Sequence, residues 1–177
     1  MTDFRAVLIR KDGGAHLLCA AGGSDHLKSQ FCQERSYLKQ IGAVEIIPRS
    51  ELSGDMKPLA KGRCAGAFDS AGSKTLANVL AATKYAGAVA ACRLAQGMDL
   101  PTGVAPFILR GVSLLGAESV CAPRERRLRV WSRLGARSRT QQTAAITQMI
   151  ALGDVFEAAE EIFAGKVRGR LVIDMSR

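Results

Sequence analysis

The chain has 177 residues and a net charge of +9, and 47% of its residues are hydrophobic while 23% are charged. This composition is typical of a globular protein with a hydrophobic core and excludes a disordered chain. No apolar run approaches the roughly 20 residues of a membrane helix, and the N-terminus lacks the apolar centre of a signal peptide, so we expect a cytoplasmic protein that does not enter the membrane.

Both histidines of the chain lie near two cysteines in its first part. His16, Cys19, His26 and Cys32 are chemically suitable zinc ligands. Their spacing matches no common zinc module, so loop residues without a metal are the favoured interpretation. Because the surrounding stretch, Gly13–Gln33, shows little periodicity, we expect it to pack poorly.

A helix, a strand and a loop are predicted before residue 64. Ser36–Ile41 is typical of the last turns of a helix, and Gly42 is suited to end it. Val44–Ile47 is a short apolar run that Pro48 closes, which predicts a strand. The polar stretch Arg49–Arg63 contains glycine and proline and is predicted to be a loop with at most one helical turn.

The segment FDSAGSKTLANVLAATKYAGAVAACRLAQG changes its hydrophobic period twice. A strand is predicted to end near Ser70, and Ser73 is a candidate N-cap of the helix that follows. The helical stripe consists of Leu76, Val79, Leu80 and Thr83. Gly87 is suited to end this helix, and Ala88–Cys92 is a run of small apolar residues typical of a strand covered on both faces. The segment therefore predicts a βαβ unit.

A further helix and strand complete the alternation. The helix is predicted around Pro106–Leu109 and the strand over Val112–Leu115. Alternating strands and helices predict an α/β fold with a parallel sheet and flanking helices. The strand at Val112–Leu115 lies at the edge of the sheet in many such folds. An edge strand can pair with a second copy of the chain, so this strand is a candidate surface for forming a homo-oligomer.

Seven arginines stand in the stretch PRERRLRVWSRLGARSR, which ends at Arg139. A helix is predicted to start at Pro123, and a solvated amphipathic helix is its favoured interpretation. The alternative is a phosphate-binding face, Arg124–Arg139, that would bind RNA or DNA without sequence specificity. Nucleic acid is therefore the less favoured partner.

One more helix and strand are predicted near the C-terminus. Asp154 is a candidate N-cap, and the apolar stripe of the helix consists of Val155, Ala158, Ala159, Ile162 and Phe163. Arg170–Asp174 is predicted to be a strand. We expect Leu171–Ile173 to pair elsewhere at the main sheet or with a strand at Phe4–Ile9.

Small residues mark the predicted carboxyl ends of two strands, at Asp69–Gly72 and Cys92–Ala95. In an open parallel sheet, ligands bind at the carboxyl ends of the strands. Glycine and alanine would let a nucleotide approach the backbone there, which favours a cofactor site. The alternative is that these residues only allow close packing of helix on strand, and their spacing leaves both interpretations open.

Long runs of the sequence resemble one family. KYAGAVAACRLAQGMDLPTGVAPFILRGVSLLGAESV, LKQIGAVEIIPRSELSG, AFDSAGSKTLANVLAATKY and GKVRGRLVIDM are similar to the zinc-free acrylyl-CoA reductase and quinone oxidoreductase branch of the medium-chain dehydrogenase/reductase superfamily. The resemblance covers residues 36–177 and implies the C-terminal part of an NAD(P)-binding, alcohol dehydrogenase-like domain with a partial Rossmann-like parallel sheet. FRAVLIRKD resembles the N-terminus of the same family. Residues 1–35 are therefore expected to hold an N-terminal strand and an irregular remnant, with the substrate domain deleted between the two parts.

The resemblance implies an NADPH-dependent oxidoreductase that transfers hydride to the activated double bond of an acyl-CoA or quinone-like small molecule. It implies cofactor contacts at Ala71, Gly72, Cys92, Leu94, Ala95, Phe107 and Ile108, and it identifies no catalytic residue. Arg93 stands where the family usually has glycine.

The phosphate-binding part of such a site is incomplete in the sequence. Ala20–Gly23 resembles the start of the glycine-rich loop, but Ser24–Leu27 supplies no third glycine. We therefore expect NADPH binding to be weak, on the order of 1 mM, or lost, and activity to be weak or absent. A non-catalytic module that pairs with itself or with a full-length relative is the alternative function.

Overall fold

The computed structural model describes residues 4–11, 14–21, 35–40, 42–48, 50–137, 144–164 and 166–176. The chain divides into two compact units, Met1–Ser119 and Val120–Arg177. Each unit has its own sheet. The sequence analysis placed a domain boundary between residues 35 and 36, where the resemblance to the family becomes continuous, and that boundary stays a prediction.

The first unit is built around a six-stranded sheet of order β3-β1-β2-β4-β5-β6. Its strands are β1 (Phe4–Lys11), β2 (Gly14–Ala21), β3 (Glu45–Pro48), β4 (Cys64–Asp69), β5 (Thr83–Ala91) and β6 (Ser113–Gly116). Its helices are α1 (residues 35–40), α2 (Ser50–Ser53), α3 (Ser73–Ala81) and α4 (Ala105–Arg110). The predicted α/β architecture is confirmed.

Four adjacent strands of the sheet are parallel, because β2 pairs with β4, β4 with β5 and β5 with β6 in the same direction. β1 is antiparallel to β2 and to β3. β3 therefore points the same way as β4, β5 and β6, as predicted, but β1 and β2 separate it from them. Only two residues join β1 to β2, and such a short connection can only reverse the chain.

β2 corrects the expectation that Gly13–Gln33 packs poorly. Residues 14–21 form a strand inside the sheet, with β1 on one side and β4 on the other. Backbone pairing on both sides orders this segment, and side-chain periodicity does not reveal such pairing. Residues 22–34 of the stretch lie outside the described residues.

The βαβ unit is confirmed, but its helix ends earlier than predicted. The predicted burial of Ala88–Cys92 on both faces is wrong, because Ala88 and Cys92 are exposed. Ala82 is the C-cap of α3, and the Thr83 hydroxyl donates a hydrogen bond of 2.7 Å to the Val79 carbonyl. Gly87 lies inside β5, beside a register shift against β4. A Cβ at Gly87 would stand 2.6 Å from the Ala65 carbonyl oxygen, so this glycine allows close approach of two strands and does not end the helix.

The core of the first unit lies between the sheet and its helices. The fully buried apolar side chains include Leu80 and Val79 of α3, Val89 of β5 and Ile47 of β3. Leu52 of α2 joins the same cluster. Leu76, Val79 and Leu80 of the predicted stripe are therefore buried residues of α3, whereas Thr83, its fourth member, begins β5.

The second unit holds the C-terminal elements. They are α5 (Arg124–Arg137), β7 (Thr147–Ala151), α6 (Val155–Phe163) and β8 (Arg170–Asp174). β8 pairs in parallel with β7 in a two-stranded sheet, so the expected pairing of Leu171–Ile173 with the main sheet or with Phe4–Ile9 is wrong. The reason is that α6 connects β7 and β8 as a crossover helix, which pairs its two flanking strands with each other.

The predicted N-cap of the last helix is at the predicted position. α6 begins directly after Asp154, but the Asp154 side chain makes no capping hydrogen bond to this helix. Its carboxylate instead accepts a hydrogen bond of 3.3 Å from the Ala151 backbone N–H, which precedes the helix. Within the parts of the chain that the structure describes, no helix has the length and apolar character needed to cross a membrane.

Candidate functional site

The carboxyl ends of the parallel strands lie along one edge of the main sheet. The strand register places Cys19 beside Asp69, Asp69 beside Ala91, and Ala91 beside Gly116. These residues end, or nearly end, β2, β4, β5 and β6. This edge is the position at which open α/β sheets bind ligands.

Two connections at this edge are joined by backbone hydrogen bonds. We call Asp69–Ser73 the β4 turn and Cys92–Gly97 the β5 loop. The Cys92 N–H donates to the Asp69 carbonyl over 2.8 Å, and the Gln96 N–H donates to the Ala71 carbonyl over 2.7 Å. The two segments therefore continue the parallel pairing of β4 and β5 beyond the ends of the strands.

Gly72 fits the close contact between the β4 turn and the β5 loop. Its φ is 75° and its ψ is −163°, a combination that only glycine adopts without strain. A Cβ at this position would stand 2.7 Å from the Gly97 carbonyl oxygen and 3.2 Å from the Leu94 Cα. Any other residue would push the two segments apart.

Asp69 lies beneath this contact and is completely buried. Its Oδ2 accepts a hydrogen bond of 2.8 Å from the Gly72 N–H. Burial raises the pKa of the carboxyl group, and the backbone N–H groups of Gly72 and Ala71 oppose that shift with smaller effect. Asp69 therefore stabilises the β4 turn from inside the sheet.

Polar side chains tie α3 to the β5 loop and to Asp99, which follows that loop. The Thr75 hydroxyl donates to Gln96 Oε1 over 2.6 Å, and the Ser73 hydroxyl donates to Asp99 Oδ2 over 3.0 Å. Ser73 was predicted to be the N-cap of α3, but Gly72 is the N-cap. The prediction is wrong because the Ser73 hydroxyl bonds across to Asp99 instead of to its own helix.

The structure brings five of the seven predicted cofactor residues to this edge. Ala71 and Gly72 belong to the β4 turn, and Cys92, Leu94 and Ala95 belong to the β5 loop. Leu94 is 59% exposed. The Cys92 thiol donates to the Asp69 carbonyl over 3.2 Å. An exposed apolar side chain above a glycine-lined turn is suited to the face of a planar ligand.

The other two predicted residues lie on α4. Phe107 packs partly against the hydrophobic core, whereas Ile108 is 74% exposed. The end of α4 is anchored by the Arg110 guanidinium, which donates to the carbonyls of Ala60, Ala81 and Thr83 over 2.6 to 3.0 Å. A helix end fixed in this way gives Phe107 and Ile108 defined positions.

Sequence reasoning missed the buried polar residues that hold the site together. Asp69, Thr75 and Gln96 were absent from the predicted set. The signal for Asp69 was available, because an aspartate that ends a buried strand three residues before a glycine is typical of a side chain that caps a turn. Gln96 carried no such signal, since its bond to Thr75 spans 21 residues of sequence.

The hypothetical zinc ligands are only partly described. His16 and Cys19 lie on β2, while His26 and Cys32 lie outside the described residues. Among the residues that are described, no cluster of three or more His, Cys, Asp or Glu side chains could hold a metal ion. The expectation of no metal site stays a prediction.

The arginine-rich helix is present as predicted. α5 spans Arg124–Arg137, and Arg126, Arg129 and Arg133 are exposed. Trp131 is exposed as well. Both the solvated-helix interpretation and the nucleic-acid alternative remain predictions for this helix.

Known proteins similar to this chain share its α/β architecture. No protein-family profile matches the chain. Acrylyl-CoA reductase AcuI of Ruegeria pomeroyi is 40% identical to it over 141 residues, which are 79% of this chain and 43% of the relative. The chain therefore spans less than half the length of this curated relative.

Two solved structures resemble the chain in both sequence and fold. YhdH of Escherichia coli, crystallised with bound NADPH, is 43% identical with a TM-score of 0.70, over 78% of this chain and 42% of that protein. YhfP of Bacillus subtilis, crystallised with NAD, is 36% identical with a TM-score of 0.76, over 81% and 44% of the two chains. The predicted resemblance is confirmed, because about four-fifths of this chain is similar to these relatives at 36 to 43% identity.

Proposed function

We propose that the β4 turn and the β5 loop form part of a binding site for NADPH. The observation that carries this proposal is the contact of Gly72 with Gly97 and Leu94 at the carboxyl edge of the sheet. The relatives support it, since YhdH was solved with NADPH bound. The backbone of Gly72 would let the ligand approach closely, and Leu94 would cover an apolar face of it.

The proposed cofactor contacts are those expected from the sequence. They are Ala71, Gly72, Cys92, Leu94, Ala95, Phe107 and Ile108. Arg93 is exposed within the same β5 loop, and its guanidinium is available to an anionic ligand. NADPH would supply the hydride, and the residues of this chain would bind and orient the NADPH molecule.

The proposed reaction is hydride transfer to the activated C=C bond of an acrylyl-CoA or quinone-like acceptor. The name of the Ruegeria pomeroyi relative supports the acyl-CoA substrate class. The proposal assigns no catalytic residue in this chain. We also propose that the protein is located in the cytoplasm. Because the sequence supplies no third glycine after Ala20–Gly23, we expect a dissociation constant on the order of 1 mM and weak or absent turnover.

Calorimetric titration with NADPH tests this proposal. Leu94→Ala removes the exposed side chain of the β5 loop and should weaken binding about fivefold, as expected when one apolar contact is lost. Leu128→Ala is the matched control, because Leu128 is similarly exposed, at 56%, and lies on α5. Absence of any NADPH binding at several millimolar, or equal weakening by both variants, would overturn the proposed site.

A second candidate function is self-association through β6. β6 is an edge strand of the six-stranded sheet, and Leu115 on it is exposed. An unpaired edge of this kind can add a strand from a second copy of the chain. Sedimentation velocity should then show a dimer that Leu115→Lys converts to a monomer, and a wild-type monomer at high concentration would exclude this function.

A further inference from the structure

Asp69 is bonded to both segments of the candidate site. Its side-chain Oδ2 accepts the Gly72 N–H of the β4 turn over 2.8 Å. Its backbone carbonyl accepts the Cys92 N–H of the β5 loop over 2.8 Å. The position of one residue thus determines how the two segments meet.

The second carboxylate oxygen of Asp69 is a buried acceptor without a partner. Oδ1 has no hydrogen bond among the described residues, and the residue is completely buried. An ionised carboxylate in such a place loses its bound water, and the hydrogen bond from the Gly72 N–H replaces only part of that hydration. Titratable or charged residues on the adjacent elements include His16 and Cys19 on β2, of which Cys19 pairs with Asp69 in the strand register. Others are Lys74 on α3, Lys84 and Tyr85 on β5, and Cys92 and Arg93 on the β5 loop.

The protonation state of Asp69 changes the strength of the bond that it makes to the turn. A hydrogen bond from an N–H to an ionised carboxylate is roughly twice as strong as one to a neutral acceptor. The Gly72 N–H is therefore held more firmly when Asp69 is ionised. Gly72 has no side chain that could make a replacement contact when this bond weakens.

We propose that Asp69 is a positioning residue, whose ionised carboxylate holds the β4 turn in the conformation that binds the dinucleotide. This inference rests on the proposed function. Burial raises the pKa of the Asp69 carboxyl group, so at a given acidic pH it is protonated more often than an exposed aspartate. Dinucleotide affinity should then increase as the pH rises through the titration of this group.

Titration of NADP⁺ against the wild type and Asp69→Asn between about pH 4 and pH 8 tests the proposal. NADP⁺ ionises identically in both experiments, so the ratio of the two dissociation constants isolates the protein. We expect this ratio to move in favour of the wild type as the pH rises and to reach about 5 at the highest pH. A ratio that does not change with pH would overturn the proposal.

An NMR measurement on the wild type alone covers the case in which Asp69→Asn does not fold. The amide proton of Gly72 should shift with pH along a single titration curve, and that of Gly135, which lies on α5 with no carboxylate beside it in sequence, should not. An invariant Gly72 amide would overturn the proposal even if NADP⁺ binds. If the Gly72 amide titrates but the protein binds no dinucleotide, the proposed function is refuted. The hydrogen bond by which Asp69 fixes the β4 turn would in that case still be supported.

Discussion

α3 and α6 are two helices of nine residues, each with an apolar stripe, and they differ in what covers that stripe. In α3, Leu76, Val79 and Leu80 are buried, as are four other residues of the helix. In α6, Ala158 is buried, whereas Phe163 is 91% exposed. The same sequence pattern thus accompanies a core helix in one unit and a largely exposed helix in the other.

The size of the partner sheet within each unit explains the difference. α3 connects two inner strands of a six-stranded sheet, which offers a broad apolar surface. α6 connects the two strands of a two-stranded sheet, which is too narrow to cover a full helical face. Hydrophobic periodicity therefore predicts the helix, and the surrounding sheet decides how much of it is buried.

The largest effect that tests this comparison is expected for Leu80→Ala. Leu80 is fully buried, so its truncation leaves a cavity and should lower the free energy of unfolding by about 2 to 5 kcal/mol. Ile162→Ala in α6 is the matched variant, and because Ile162 is 55% exposed we expect a loss of less than about 1 kcal/mol. Urea unfolding followed by circular dichroism measures both. A larger loss for Ile162→Ala would show that α6 is the better covered helix.

A smaller effect is expected when an alanine replaces the glycine before each helix. Gly72→Ala should cost about 1 to 3 kcal/mol, because the positive φ and the Gly97 carbonyl oxygen oppose a Cβ. Gly153→Ala meets no atom within 4 Å and should change stability by no more than about 0.5 to 1 kcal/mol, in the stabilising direction. Thermal unfolding compares the two variants, and equal stability of both would contradict the described turn.

Much of the fold was predictable from the local sequence pattern. The elements that were missed depend on pairing between strands. The β4, α3 and β5 alternation follows from a change of period that neighbouring residues display. The strand β2 was not predictable, because its order comes from pairing with β1 and β4 on either side. The pairing of β8 with β7 was missed because no strand was predicted at Thr147–Ala151, so the crossover through α6 had no first strand.

The candidate site was predictable where it depends on backbone and not where it depends on side chains. Gly72 was predictable because a glycine three residues after the end of a strand is typical of a tight turn or a close backbone approach. Thr75 and Gln96 meet only after the chain has folded, so no short motif contains both. Their bond is visible only in three dimensions.

Two aspartates should give opposite pH dependences, one in each unit. Asp69 is buried and its pKa is raised, so the stability that it contributes is complete below the unfolded pKa and is lost as the pH rises through the folded pKa. The pKa of the exposed Asp174 is lowered by hydrogen bonds from Ser176, so its contribution is present above the unfolded pKa and is lost as the pH falls through the folded pKa.

Unfolding measured against pH for Asp69→Asn and Asp174→Asn separates the two effects. Relative to the wild type, Asp69→Asn should gain stability as the pH rises above about 4, and Asp174→Asn should gain a little as the pH falls below it. The effect at Asp174 should be the smaller one because solvent screens an exposed group. The same sign for both variants would contradict the assigned environments.

The most direct test of the proposed cofactor site is amide hydrogen exchange with and without saturating NADPH. We expect added protection in the β4 turn and the β5 loop, because ligand contact at the carboxyl edge should slow opening of both segments. Residues 124–137 and 147–174 should exchange at unchanged rates. Protection confined to the second unit, with none at Gly72 or Leu94, would contradict the proposal that NADPH binds where β4 and β5 end.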